Sequence, residues 1–111
     1  MGTDDRVTTN LRKGVLEFCV LAHIRAGDAY GFELARTLEA DGLIAGEGTL
    51  YPLLARLRSS GLVDTAWAES DAGRPRKYYT LTPAGVEQLE AFQRAWAPLR
   101  DAVDQTMRRS S

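Results

Sequence analysis

Apolar residues along this chain recur first at helical spacing, then in alternation, then at helical spacing again. From Leu11 to Ala26 the residues favour helix, and Gly27-Asp28 follows as a stop. Inside that stretch Leu16-Glu17-Phe18-Cys19-Val20-Leu21-Ala22 is apolar on nearly every side. A helix apolar all round is buried all round, which in so short a chain points to a second subunit over its outer face. Thr9 or Asn10 is the candidate cap, and Met1 to Thr9, polar and aperiodic, reads as a flexible tail. A second helix fits Ala29 to Ala40, with Asp28 as cap and Tyr30, Leu34 and Leu38 on one face. Gly42 supplies the left-handed residue after it. A third helix lies between Gly46 and Ser60, closed by Gly61, with Leu50, Leu53, Leu54 and Leu57 as its buried stripe. At about 100° per residue the opposite face carries Gly48, Thr49, Pro52, Ala55, Arg56 and Ser59. Pro52 has no N–H to donate, so the helix is expected to start near Thr49 or to kink in its first turns.

The period then drops to two. Leu62 to Ala68 reads as a strand, Ser70-Asp71-Ala72-Gly73-Arg74-Pro75 as a turn, and Arg76 to Leu81 as the returning strand. The result is a β-hairpin whose tip bears Arg74, Arg76 and Lys77. Thr82 followed by Pro83 opens a last helix expected to run to about Arg109. Its apolar residues Leu89, Phe92, Trp96, Leu99 and Val103 step by threes and fours, the heptad spacing of helix-on-helix packing. Pro98 predicts a kink in it. The pattern therefore divides the chain into a tail (1–10), a unit of three helices and a hairpin (11–81) and a long C-terminal helix (82–111). That is a mainly α fold with a small β-hairpin: a winged helix-turn-helix carrying a C-terminal dimerisation helix.

Composition constrains what such a fold does. A chain of 111 residues suits one domain, and its net charge of -1 gives no general pull toward nucleic acid. DNA binding then needs local basic clusters. Taken alone, Arg56 and Arg58 are a solvated helix surface, but a basic hairpin directly downstream turns the reading toward DNA. In a winged helix the third helix enters the major groove and the hairpin lies along the neighbouring backbone. The one cysteine, Cys19, excludes an intrachain disulfide and fits a reducing cytosol. No secretory signal is visible, and the near-apolar run Val15 to Ile24 is too short to cross a bilayer, so a cytoplasmic protein without a membrane partner is expected. Cys19 and His23 lie four apart on one helix face, yet no second local pair completes a metal site, and a buried thiol is the default. The single histidine lacks a plausible nucleophile and orienting acid, and no glycine-rich phosphate loop appears. Neither an enzyme nor a cofactor is expected.

Several segments together make the sequence resemble the PadR family of bacterial transcriptional regulators, in its short form with one C-terminal helix. They are Leu11-Arg12-Lys13-Gly14-Val15-Leu16, Tyr30-Gly31-Phe32-Glu33-Leu34, Gly48-Thr49-Leu50-Tyr51-Pro52-Leu53-Leu54, and Gly73-Arg74-Pro75-Arg76-Lys77-Tyr78-Tyr79-Thr80-Leu81-Thr82-Pro83-Ala84-Gly85. The resemblance implies homodimeric repressors that sit on palindromic operators and release DNA when a small molecule binds. On matching positions it places Thr49, Tyr51, Pro52 and Arg56 against DNA from the third helix. It sets Tyr30 and Gly31 at a phosphate through free N–H groups of the second helix, and Arg74, Arg76 and Lys77 on the backbone. Of Tyr78 and Tyr79 one is expected to pack inward. The implied dimer interface uses the last helix and the first, with Phe18, Leu89, Phe92, Trp96, Leu99 and Val103. Some relatives use a tryptophan at the position of Trp96 to stack flat aromatic ligands, a role Phe92 would share; anchoring the helix pair is the plainer role for Trp96, and simple packing the plainer role for Phe92 and Trp67. Two departures stand out: Ala45-Gly46 where relatives often carry serine, and Pro98. The rival reading is a winged helix that binds another protein and not DNA, and Arg56, Arg74, Arg76 and Lys77 decide between the two.

Overall fold

A computed structural model describes residues 2–27, 30–69, 73 and 75–111. The elements run α1 (Thr3–Ala26), α2 (Gly31–Ala40), α3 (Glu47–Ser59), β1 (Val63–Glu69), β2 (Pro75–Leu81) and α4 (Pro83–Ser110). The strands pair antiparallel, with Val63 opposite Leu81, Thr65 opposite Tyr79 and Trp67 opposite Lys77. This is the mainly α architecture with a hairpin wing that the pattern predicts.

The largest departure is at the start. α1 begins at Thr3, not at Leu11. Thr9 is no cap: it sits mid-helix, where its hydroxyl donates to the Asp5 carbonyl one turn back at 2.8 Å. Asp4 and Asp5 occupy the first turn, where negative charge complements the helix dipole. The expected stops hold. Gly27, Gly42 and Gly61 all take left-handed backbone just past α1, α2 and α3. Past α3 the Leu62 N–H returns to the Leu57 carbonyl at 3.0 Å, which closes the helix and aims the chain into β1. The Asp28 cap and Ser70, Asp71, Ala72 and Arg74 of the hairpin turn lie outside the described residues.

The core sits where α1, α2, α3 and the base of the hairpin meet. Leu21, Leu34, Leu38, Leu50, Leu54, Leu57 and Leu89 are its largest fully buried side chains. α1 contributes only one stripe to it, Leu16, Val20, Leu21 and Ile24, while Phe18, Cys19 and Ala22 stay half-buried. The chain by itself thus covers about half of a helix whose sequence calls for cover all round.

α3 runs unbroken through Pro52. Proline at this depth removes the bond to the carbonyl four residues back, that of Gly48. Both residues are exposed, so water can take up the carbonyl. α4 starts as the sequence predicts: the Gly85 N–H donates to Thr82 Oγ1 at 3.0 Å, with Pro83 in the first turn. It is likewise helical through Pro98. At ~1.5 Å per residue its 28 residues span roughly 42 Å, against molecular extents of 57 × 34 × 22 Å. No helix among the described residues is long and apolar enough to cross a membrane.

Candidate nucleic-acid interface

Four leucines bury one side of α3, and that burial decides what its other side presents. Gly48, Pro52, Ala55 and Ser59 form the exposed midline, with Thr49 and Arg56 on one flank and Tyr51 and Arg58 on the other. The two flanks have different neighbours. On the α1 flank Thr49, Pro52 and Arg56 line a groove with Lys13, Leu16 and Glu17. There Arg56 Nη2 stands 4.0 Å from Glu17 Oε1, its side chain 66% exposed. The contact is long and wet, so it holds the guanidinium only weakly and leaves it exposed.

On the other flank the wing closes in. Tyr30, Gly31, Phe32, Tyr51, Arg76, Lys77 and Tyr79 line an open cleft of about 460 Å³. Tyr30 precedes α2 and bridges to Tyr78 of β2, which ties the start of that helix to the edge of the hairpin. Gly31 has a reason the sequence did not reveal. A Cβ there would lie 3.0 Å from the Tyr51 ring, so the glycine seats that tyrosine between α2 and the wing. The Arg76 guanidinium lies 4.8 Å from the Phe32 ring centre and 5.8 Å from that of Tyr30. A cation over aromatic faces is held in place while its N–H edge stays available to an anion. Lys77 stands 6.0 Å from the Tyr79 ring.

The tyrosine pair divides as alternation requires. Tyr79 is buried in the core and Tyr78 packs edge-on to Tyr30 with ring centres 6.2 Å apart. Burial, reinforced by nearby Tyr51, raises the Tyr79 phenol above its ordinary pKa, with Arg58 opposing. Tyr79 therefore stays neutral across the physiological range. Arg58 and Phe32 were not among the expected site residues, yet Arg58 shares a groove with Tyr51, Lys77 and Tyr79. Its helical position beside Tyr51 is the signal that points to it. Neither α2 nor α3 carries a side-chain cap: Tyr30 and Gly46 precede them, the latter as the Ala45-Gly46 departure foretold. Their first-turn N–H groups are thus not taken up by a capping side chain. Arg74 lies outside the described residues.

A second set of residues gathers on the far side of α1. Phe18 stacks on Phe92 with centroids 4.4 Å apart, and Phe92 on Trp96 at 5.6 Å. Trp96, Leu99 and Val103 are exposed along α4. Leu89 is not available to any partner: at 1% exposure it belongs to the protomer's own core, because α4 still lies against the winged unit at that turn. Trp67 corrects the expectation in the opposite sense. Expected to pack, it is 70% exposed on the wing.

Cys19 borders an apolar groove with Ala22, His23, Ala26 and Leu43. Burial pushes its thiol pKa up, and the thiolate is the reactive form. The folded protein is therefore expected to react with a thiol reagent at pH 8 several-fold more slowly than the urea-unfolded chain. Equal rates would place the thiol in solvent.

A helical core, a helix with one exposed face and a cation-bearing hairpin beside it define a winged helix-turn-helix protein. The model of the transcriptional regulator PadR-like family matches residues 20–91, more than half of the chain. The chain is 33% identical over 92 residues to the transcriptional regulator Rv3488 of Mycobacterium tuberculosis, covering 83% of this chain and 85% of that one. Among solved structures, a PadR-like transcriptional regulator from Bacillus cereus is 37% identical with a TM-score of 0.82, over 88% of this chain and 96% of that one. A PadR-like transcription factor from Bacteroides fragilis is 39% identical with a TM-score of 0.72, over 91% and 98%. This chain belongs to the PadR-like family of transcriptional regulators.

Proposed function

We propose that the protein is a homodimeric, ligand-responsive repressor that binds a palindromic operator through α3 and the wing. The observation that carries this reading is the surface formed by the exposed side of α3 and the adjoining β2. It gathers Arg58, Arg76 and Lys77 on the wing side of α3 and leaves Arg56 exposed on the α1 side, although the chain as a whole carries a net charge of -1. Thr49, Tyr51, Pro52 and Arg56 face the major groove. Arg74, Arg76 and Lys77 take backbone phosphates, and Tyr30 and Gly31 present the first turn of α2 to another. A two-fold dimer repeats this surface about one helical turn of DNA away, which is why the operator is palindromic. The Phe18, Phe92 and Trp96 ladder lies beside the helices of the dimer. A flat aromatic effector stacking on Trp96 and Phe92 would change how those helices meet, and with them the spacing of the two α3 helices.

The test is titration against a duplex from upstream of the protein's own gene and a scrambled duplex of equal length, at several salt concentrations. Preference for the first, with affinity falling as salt rises, is the expected result. No binding to either at low salt would favour the protein-interaction reading. Arg56→Ala is expected to weaken operator binding by about 1–3 kcal/mol and to relax sequence preference. Arg76→Ala is expected to weaken both duplexes alike and to flatten the salt dependence. Unchanged binding in both variants would overturn the docking mode.

A further inference from the structure

We infer that Trp67 is a DNA-contacting residue of the wing, packing its indole on the deoxyribose wall beside the phosphate that Lys77 takes. The inference rests on the DNA-binding reading above and extends it to a residue with no cation to recommend it.

Among the described residues, Trp67 is the most exposed large apolar side chain, at 70%. The others of that kind fall on α1 or α4, except Phe32 and Tyr51, which line the cleft beside the wing. Among the described residues no ring or cation stacks on the indole. A tryptophan held in water by a strand whose base is buried is a typical anchor of a binding surface, because it offers a large rigid contact area.

The register says which way it points. Val63, Thr65 and Trp67 of β1 stand directly opposite Leu81, Tyr79 and Lys77 of β2, and directly opposed residues share one face of a sheet. Val63 and Tyr79 on that face enter the core. Tyr79 and Lys77 line the groove against Tyr51, Ala55 and Arg58 of α3. Trp67 lies two residues further out than Thr65, roughly 7 Å at strand spacing. It therefore stands on the face of the hairpin that Tyr79 and Lys77 turn toward α3, beyond the part of that face that is buried. Its Cβ is about 5 Å from that of Lys77. A backbone close enough to give Lys77 a phosphate brings the adjoining sugar to Trp67. The indole N–H can add a bond to phosphate oxygen.

An apolar contact releases no counterion, so its signature differs from that of a lysine. With the full-length protein, Trp67→Ala is expected to lose about tenfold in affinity for the upstream and scrambled duplexes alike, with the salt slope unchanged. Lys77→Ala is expected to lower the slope by about one, and Trp67→Phe to keep most of the affinity. Wild-type fluorescence should become less quenchable by acrylamide on adding either duplex, a protection missing from Trp67→Phe, which retains Trp96. Wild-type affinity in Trp67→Ala overturns the inference. So does a Trp67→Ala protein that is monomeric in sedimentation at a concentration where the wild type is dimeric, which would assign the indole to a subunit contact. Failure of the wild type to bind either duplex at low salt removes the DNA-binding reading itself, and this inference with it.

Discussion

Gly85→Ala is expected to lower the melting temperature of the protein by more than about 10 °C. A Cβ on Gly85 would run into the backbone carbonyl of Leu62. That carbonyl cannot simply step aside, since it accepts the Thr82 N–H at 3.1 Å. The Thr82 hydroxyl in turn donates to the Gly61 carbonyl at 2.6 Å and accepts from the Gly85 N–H at 3.0 Å. The first turn of α4 is thus clamped to the end of α3, and a methyl group forces the clamp open. Overpacking costs about 1–3 kcal/mol, and each backbone bond lost adds about 1 kcal/mol. Against a total stability of about 5–15 kcal/mol, the sum is a large fraction. Gly48→Ala is the control: nothing lies within 4 Å of a Cβ there, and alanine favours the helix by ~1 kcal/mol. Thermal melts of all three proteins at one concentration check the pair, since self-association of any kind makes melting concentration-dependent. A Gly85→Ala melt within a few degrees of wild type would show that α4 docks more loosely than the geometry implies.

The same clamp shows why much of this fold is legible in the sequence. Thr82-Pro83 and the glycine stops are local signals, and each is answered by a hydrogen bond within a few residues. The leucine stripe of α3 is also local, and it leaves the exposed face as its complement. What stayed hidden depends on distant neighbours. Gly31 reads as a place for a phosphate to approach, yet its missing side chain makes room for Tyr51, twenty positions on. Arg76 reads as a free cation, but it rests on the rings of Tyr30 and Phe32 across the cleft. Trp67 reads as packing because tryptophan is apolar; only the register places it past the end of the core. The start of α1 was hidden by composition. Thr9 and Asn10 look like caps, although Val7, Leu11, Val15 and Phe18 step by four, four and three along the same helix.

That stripe on α1 carries the second large effect. Val7 and Leu11 are 52% and 69% exposed on α1, and Trp96, Leu99, Val103 and Met107 are 38–59% exposed on α4. Both helices therefore hold apolar residues in water at the spacing that packs against another helix. We propose that a second copy covers them. A two-fold axis uses each substitution twice, so glutamates at Leu99 and Val103 bring like charges toward an axis that excludes water. Burying carboxylates without partners costs several kcal/mol each. The double variant Leu99→Glu/Val103→Glu is expected to sediment as a monomer at micromolar concentration and to keep its helical circular dichroism. Its winged unit is untouched, because both residues lie beyond Leu89, where α4 leaves the core. Operator affinity should nonetheless fall by roughly 100-fold or more, since two half-sites held by one rigid dimer act at high effective concentration and two separate monomers do not. Weak binding to a single half-site should survive with its salt dependence reduced. A variant that remains dimeric would move the interface elsewhere. A monomeric variant that binds the palindrome as tightly as the wild type would mean that one winged helix reads the operator alone.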